Sequence, residues 1–313
     1  MEKRLTFHAG EEHRGISVKQ ILHGTLGMTA RQVSRAKFLE DGITVARNGD
    51  VQKVTVRFLL EPGDLLTIKL EEKEKRSGHL LPLDGDLDIL YEDEDLILIN
   101  KPAGMVVHPS PGHYRDSLAN ILAGRYREEV GLVIRPVGRL DKDTSGLIFM
   151  AKNAAAVYRL EGQRKCGQMK RRYLALVEGE PEKTEGTIEA PIGAMPGVLM
   201  KQEVRDDGAF AKTDYEVLQH FEPIKDLPKG YSLVRLTLHT GRTHQIRVHM
   251  AHIGCPLLGD PLYGKMGAGG MKRAALHSYR IELVQPFTGE ALSFETKMPG
   301  DMASLCPLQS LDL

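Results

Sequence analysis

The chain has 313 residues, 41% of them hydrophobic and 27% charged, which is typical of a globular protein large enough for two domains. Its 42 basic and 42 acidic side chains cancel, and no apolar run approaches the roughly 20 residues that span a bilayer, so we predict no membrane partner. The three cysteines are far apart and form no redox or metal-binding pair, which favours a reducing, cytoplasmic location.

Residues 1–70 are predicted to form a small α/β domain that begins with two helices. Ser17 is a candidate N-cap for a helix that ends near Gly27, and Thr29 for a second helix that runs to about Glu40. Three basic side chains lie on the second helix and are candidates for RNA binding: Arg31, Arg35 and Lys37.

Short strands follow these two helices. Residues 43–49 read as a strand that ends in the hairpin signal Asn48-Gly49, and residues 54–60 and 65–70 read as strands on either side of a turn at residues 62–64. This order of elements resembles the alpha-L RNA-binding motif. Residues 71–78 are charged and end in Ser77-Gly78, and residues 71–80 are predicted to be a linker.

Residues 81–313 are predicted to form a second domain in which strands outnumber helices. Apolar β-type runs occur near residues 96–99, 146–151, 173–177, 231–238 and 291–296, and helical patterns occur only near 115–126, 153–165 and 243–253. Because strands and helices do not alternate, we predict an α+β fold with a mixed, largely antiparallel sheet and flanking helices.

The net charge of zero conceals local runs of one sign. Residues 84–95 contain seven acids and no base, whereas residues 164–172 contain five bases and no acid. A polyanion responds to the local patch rather than to the total charge, so a nucleic-acid partner stays open. For any single run, a solvated charged face is the more common explanation.

A polar loop that leads directly into a β-type run holds the first candidate site. Residues 138–147 read GRLDKDTSGL, and functional side chains are often held in such loops at strand ends. The structural alternative is that Asp141 pairs with Arg139 or Lys142 while its neighbours cap a turn.

A second cluster, TGRTHQIRVH at residues 240–249, follows a predicted strand. We expect Thr243 to cap a helix on which His244, Arg247 and His252 lie at helical spacings. A zinc site is disfavoured because His244 and His249 are five residues apart and the glutamate of a zinc-protease motif is absent, so we predict no metal.

Two further segments carry candidate residues. KRRYLALVEG at residues 170–179 is a basic turn that opens a strand, with Lys170, Arg171 and Tyr173 at its start, and NKPAGMVVHP at residues 100–109 contains Lys101 in a tight turn. Taken singly, Tyr173 could be an ordinary strand tyrosine and Lys101 part of an ordinary turn.

In this order, the four segments closely resemble the RluA/RluD-like pseudouridine synthases, which act on ribosomal large-subunit RNA and tRNA. The similarity extends to PLLGDPLYG at residues 256–264 and LHS at residues 276–278. Many members have His where this chain has Gly138, and the glycine form resembles a sister family that acts on ribosomal RNA.

The resemblance implies roles for individual residues. Asp141 matches the essential aspartate, Arg247 the arginine that pairs with it, and Tyr173 the active-site tyrosine that stacks on the base. Arg139 matches an arginine that enters the RNA helix as the target uridine leaves. Lys101 and Arg242 lie in family-typical segments and, with Lys170 and Arg171, are expected to bind RNA.

The implied reaction suits these residue types. It breaks the N1–C1′ bond of uridine, turns the base and forms a C5–C1′ bond, so it needs no cofactor. A carboxylate can serve as nucleophile or base in such chemistry, by attack at C1′, addition to C6 or elimination. The base must leave its stack, and an aromatic side chain offers it a new stacking face.

Structured RNA, either rRNA or tRNA, is therefore the expected partner of a monomeric enzyme. The alternatives are a non-catalytic RNA-binding or ribosome-assembly protein on the same fold, a hydrolase using Ser145 with Asp143 and a histidine, and a metal-dependent nuclease. The hydrolase is disfavoured because Ser145 lacks the Gly-x-Ser-x-Gly elbow.

Overall fold

The computed structural model describes residues 2–71, 80–129 and 134–306. The first 71 residues contain a four-stranded antiparallel sheet in the order β1-β4-β2-β3. Its strands are β1 (Glu2–His8), β2 (Ile43–Arg47), β3 (Asp50–Lys53) and β4 (Leu65–Glu71). Two helices pack on it: α1 (Val18–Gln20), which continues as a π-helical turn over Ile21–Thr25, and α2 (Ala30–Phe38).

The predicted helix starts and hairpin of this unit are confirmed. Ser17 and Thr29 cap α1 and α2 through capping boxes that Gln20 and Gln32 complete. Asn48 and Gly49 both have positive φ, as a tight hairpin turn between β2 and β3 requires.

Two predictions for this unit are wrong. Residues 54–60 are not a strand, because the carbonyls of Val56 and Phe58 accept hydrogen bonds from Lys19 and Val18 in the first turn of α1. Residues 2–8, for which no strand was predicted, form β1 and pair with β4 along its whole length. Most of the predicted linker, residues 72–79, lies outside the described residues.

A ten-stranded sheet dominates the rest of the chain, so the predicted α+β class with a largely antiparallel sheet is confirmed. Its central path runs β10-β13-β14-β9-β15-β8-β6-β5, with β16 on β15 and β7 on β8, and only the β8–β15 pair is parallel. The strands are β5 (Ile89–Glu92), β6 (Leu96–Lys101), β7 (Arg135–Pro136), β8 (Ser145–Ala151), β9 (Lys170–Glu178), β10 (Glu185–Glu189), β13 (Lys212–Phe221), β14 (Tyr231–Leu238), β15 (Leu276–Val284) and β16 (Ala291–Glu295), and a separate hairpin consists of β11 (Ile192–Ala194) and β12 (Gln202–Val204).

Helices cover both faces of this sheet. They are α3 (Leu118–Arg125), α4 (Ala154–Lys165), α5 (Gln245–His252) and α6 (Gly300–Ala303). All seven residues of β8 are buried, because one face packs against α4 and the other against α3. Within the described residues, no helix is long and apolar enough to cross a bilayer.

The topology brings the predicted site segments to one edge of the sheet. Ser145, at the start of β8, lies beside His277 of β15, and Ser278 lies beside Tyr173 of β9. Tyr173 in turn pairs with Leu236 near the end of β14, which leads into α5. The loop before β8, the start of β9 and the start of α5 therefore meet.

Candidate active site

The loop that carries Asp141 is fixed at both ends by glycines with positive φ. Gly146 has φ +104°, and a Cβ built there would lie 2.2 Å from the carbonyl oxygen of Ser278 on β15. Gly138 has φ +84°, but the nearest atom to a Cβ there is 3.6 Å away. Close packing therefore requires glycine at 146, whereas at 138 only the backbone conformation favours it.

Asp141 faces α5 rather than its neighbours in the loop. Its Oδ2 lies 3.4 Å from Arg247 Nη1 and 4.0 Å from His244 Nε2, and its side chain is 30% exposed. Within the described residues, no ion pair joins it to Arg139 or Lys142, so the structural alternative is not what the fold adopts. The carboxylate is thus close to a cation and still open to a substrate.

Arg247 is held by a buried acid that sequence reasoning missed. Asp260 is fully buried and accepts two hydrogen bonds of 2.7 Å, from Nε and Nη2 of Arg247. Its Oδ1 also accepts from the backbone amides of Leu262 and Tyr263. Nε and Nη2 of the guanidinium are thereby paired with Asp260, and Nη1 points towards Asp141.

The predicted cap of α5 is wrong, because His244 rather than Thr243 occupies the N-cap. His244 has φ +56°, a left-handed conformation that histidine adopts more readily than most residues. Thr243 instead accepts a hydrogen bond of 3.1 Å from Arg139 Nη2. The left-handed turn directs the His244 ring towards Tyr263, whose hydroxyl lies 2.9 Å from Nδ1.

Tyr173 is buried at the start of β9, with 3% of its surface exposed. With Asp141, His244, Arg247 and Arg139 it lines a shallow depression of about 50 Å³. Burial raises the pKa of Tyr173, so its hydroxyl stays protonated at neutral pH. Arg139, which also lines the depression, donates a hydrogen bond to Thr243 just before α5.

The prediction that Lys101 binds RNA is contradicted by its burial. Its side chain is completely buried, and Nζ donates to the carbonyl oxygens of Pro102, Met105 and Lys142 at 2.8–3.0 Å. Burial lowers the pKa of Lys101 to about 7. Because Lys142 directly follows Asp141, this ammonium supports the loop rather than contacting phosphate.

Of the other residues predicted to bind RNA, Arg171 does not lie on the surface either. It is buried and donates to the carbonyl oxygen of Thr240, so it ties β9 to the segment before α5. Two more bases of the run 164–172 pair with acids, Arg164 with Glu161 and Arg172 with Glu282. The predicted residues that are exposed are Arg139, Arg242, Lys170, Arg31, Arg35 and Lys37.

The geometry gives little support to the hydrolase. Ser145 Oγ lies 2.9 Å from His277 Nδ1, but both residues are buried and neither lines the depression at Asp141. Burial lowers the pKa of His277 to about 4. In the parts of the chain that the structure describes, no three side chains form a metal-binding group.

The fold thus brings a carboxylate, an anchored arginine and a buried tyrosine together at one edge of a mixed sheet. The chain belongs to the RNA pseudouridylate synthase family, which matches residues 95–252. It is therefore an RNA pseudouridine synthase, as the sequence resemblance implied.

Individual relatives agree with this assignment. The uncharacterized RNA pseudouridine synthase YlyB of Bacillus subtilis is 40% identical over 302 residues, which are 95% of each chain. Ribosomal large subunit pseudouridine synthase D of Nitrosomonas europaea is 42% identical over 245 residues, which are 75% of this chain and 67% of that protein. The solved structure of human RNA pseudouridylate synthase domain containing 1 is 26% identical, with a TM-score of 0.55 over 70% of this chain and 87% of that chain.

Proposed function

We propose that this enzyme isomerises uridines of structured ribosomal RNA and that Asp141 is the carboxylate that starts the reaction. The observation that carries the proposal is the position of Asp141, which is partly exposed yet lies 3.4 Å from the anchored Arg247 in a depression that Tyr173 lines. A carboxylate in this position can act as nucleophile or base.

The surrounding residues have separate tasks in this proposal. The target base leaves its stack, at a cost of roughly a few kcal/mol. Arg139 moves out of the depression to fill the gap in the RNA, and Tyr173 provides an apolar face for the base. The exposed Arg242 and Lys170 contact phosphates near the site.

Ribosomal RNA is the favoured substrate because relatives are named ribosomal large subunit pseudouridine synthase D, that of Nitrosomonas europaea among them. We also propose that residues 1–70 form an alpha-L RNA-binding domain, with Arg31, Arg35 and Lys37 on the exposed face of α2. The catalytic domain then comprises residues 81–313, and the enzyme acts as a cytoplasmic monomer.

The test has two parts. Deleting the gene and mapping pseudouridine across rRNA and tRNA identifies the uridines that depend on this enzyme. Loss confined to tRNA would contradict the rRNA assignment.

The purified chain is then assayed on transcripts that contain those uridines. Asp141→Asn should abolish isomerisation and leave RNA affinity within about threefold, whereas Asp206→Asn, the same change at an exposed acid, should have no effect. Pseudouridine formation by Asp141→Asn would refute the catalytic role, and inactivity of the unaltered chain on every transcript would favour a non-catalytic RNA-binding protein.

A further inference from the structure

We infer that His244 is a second catalytic residue, whose Nε2–H donates a hydrogen bond to a carbonyl oxygen of the target uracil, and that Tyr263 positions it. The inference rests on the proposed function, because it assumes that the uracil enters the depression beside Asp141. It adds a donor for the base to a site that otherwise supplies a carboxylate for the sugar or ring.

The hydrogen bonds around Tyr263 determine which nitrogen of His244 carries the proton. The Tyr263 oxygen accepts a hydrogen bond of 2.8 Å from the backbone amide of Gln202. Its own O–H is then free to donate to His244 Nδ1, 2.9 Å away. A neutral imidazole that accepts at Nδ1 carries its proton at Nε2.

Burial lowers the pKa of His244, which favours the neutral ring. Asp141 and Asp260 oppose this effect, whereas Arg247 and Arg139 reinforce it. The Tyr263 ring lies edge-on to the imidazole, with 5.7 Å between ring centroids, and beneath Arg247, with the guanidinium 5.1 Å from the ring centroid. One aromatic side chain therefore contacts both residues that face Asp141.

The proton on Nε2 points towards the substrate position. Nε2 lies 4.0 Å from Asp141 Oδ2, beyond the distance of a hydrogen bond, so the carboxylate does not take up this donor. His244 and Asp141 line the same depression as Tyr173. A base that enters between them and lies on Tyr173 would meet this N–H at its edge.

A neutral donor at that edge is useful in each of the three routes open to Asp141. Attack at C1′ or elimination leaves the electron pair of the N1–C1′ bond on the uracil, and addition to C6 forms an enolate. Negative charge then develops on a uracil carbonyl oxygen, and a fixed donor stabilises it without transferring a proton.

The test uses three single variants of the full chain and one double variant. His244→Asn tolerates the left-handed backbone but lacks a donor at the Nε2 position, so single-turnover rates should fall about 100-fold. RNA affinity should change less than about threefold. His244→Gln places an amide N–H near the Nε2 position and should recover part of the rate.

Tyr263→Phe keeps the ring under Arg247 and removes the hydroxyl. It should slow the unaltered enzyme about tenfold and have no effect in the His244→Asn background, because neighbours that act through one another are not additive. Nitrogen NMR of labelled histidine should show the Nε2–H tautomer in the unaltered enzyme and lose that preference in Tyr263→Phe.

A His244→Asn rate within about threefold of the unaltered enzyme, or an equal effect of Tyr263→Phe in both backgrounds, would overturn the inference. The Asp141→Asn variant separates this failure from that of the proposed function. If Asp141→Asn is inactive and His244→Asn is fully active, only the role of His244 is wrong. If Asp141→Asn is active, the proposed function itself fails.

Discussion

Replacing Asp260 with Asn should destabilise the enzyme far more than the same replacement at Asp141. The Arg247 side chain is 8% exposed and Asp260 is fully buried, so Asp260→Asn leaves a buried guanidinium without its carboxylate partner. Breaking such a pair costs about 3–5 kcal/mol. At roughly 2–4 °C per kcal/mol for a domain of this size, Tm should fall by about 6–20 °C.

Asp141→Asn is the matched control. The side chain of Asp141 is 30% exposed and 3.4 Å from Arg247, so its loss should cost less than about 1 kcal/mol. Activity should disappear in Asp141→Asn. It should fall in Asp260→Asn, because without the Asp260 carboxylate the Arg247 side chain can move closer to Asp141 and pair tightly with it.

Thermal unfolding of both variants, at low salt and in 0.5 M KCl (roughly a 4 Å screening length), measures the difference. A buried pair is little screened, so the Asp260→Asn deficit should persist in salt. A fall in Tm of less than about 3 °C, or equal falls in the two variants, would show that the Arg247–Asp260 pair does not hold this site together.

Three further changes test separate parts of the fold. Lys101→Met should slow turnover about 10–100-fold with RNA affinity retained, because the loop beside Asp141 loses its support; a large loss of affinity would instead mean a direct RNA contact. His277 has a folded pKa of about 4, below the roughly 6.5 of an unfolded chain, so it contributes stability above pH 6.5 that is lost as the pH falls towards 4. At pH 5 the free energy of unfolding is about 2 kcal/mol lower for this reason. In urea unfolding, His277→Gln should therefore lose less stability between pH 6.5 and pH 5 than the unaltered enzyme. Gly146→Ala should cost more than about 2 kcal/mol in the same assay, since its Cβ would meet Ser278; an unchanged midpoint would refute the close approach.

The features predicted correctly are those that depend on near neighbours in sequence. Ser17 and Thr29 predicted the starts of two helices, where a glutamine three residues later completes each capping box, and Asn48-Gly49 predicted a hairpin. Strand β1 was missed because its partner β4 lies about 60 residues further on. The position of residues 54–60 beside a turn suggested a strand, yet carbonyls of this segment accept hydrogen bonds from the first turn of α1.

The same distinction applies to the site. Asp141, Tyr173 and Arg247 were named as site residues from the four motifs, and the fold brings them around one depression. The contacts of His244 and Asp260 depend on how the chain folds back after α5, and no local sequence pattern predicts that path. Lys101 was expected to bind RNA because it lies in a family-typical segment, and the local sequence does not show that its side chain is buried against three carbonyl oxygens.

The hydrogen bonds of the cations around Asp141 explain how this carboxylate can be surrounded by positive charge and remain available to react. Lys101 donates to the carbonyl of Lys142, and Arg273 donates to the carbonyl of Asp143 while Asp301 holds its other edge. These groups donate to backbone oxygens, so they fix the loop and leave the side chain of Asp141 with only a long hydrogen bond from Arg247. Arg247 is likewise paired with Asp260, and its Nη1 stays 3.4 Å from Asp141 Oδ2. A tighter ion pair would hold the carboxylate equally well but would have to break before each turnover, whereas backbone anchoring orients it without that cost.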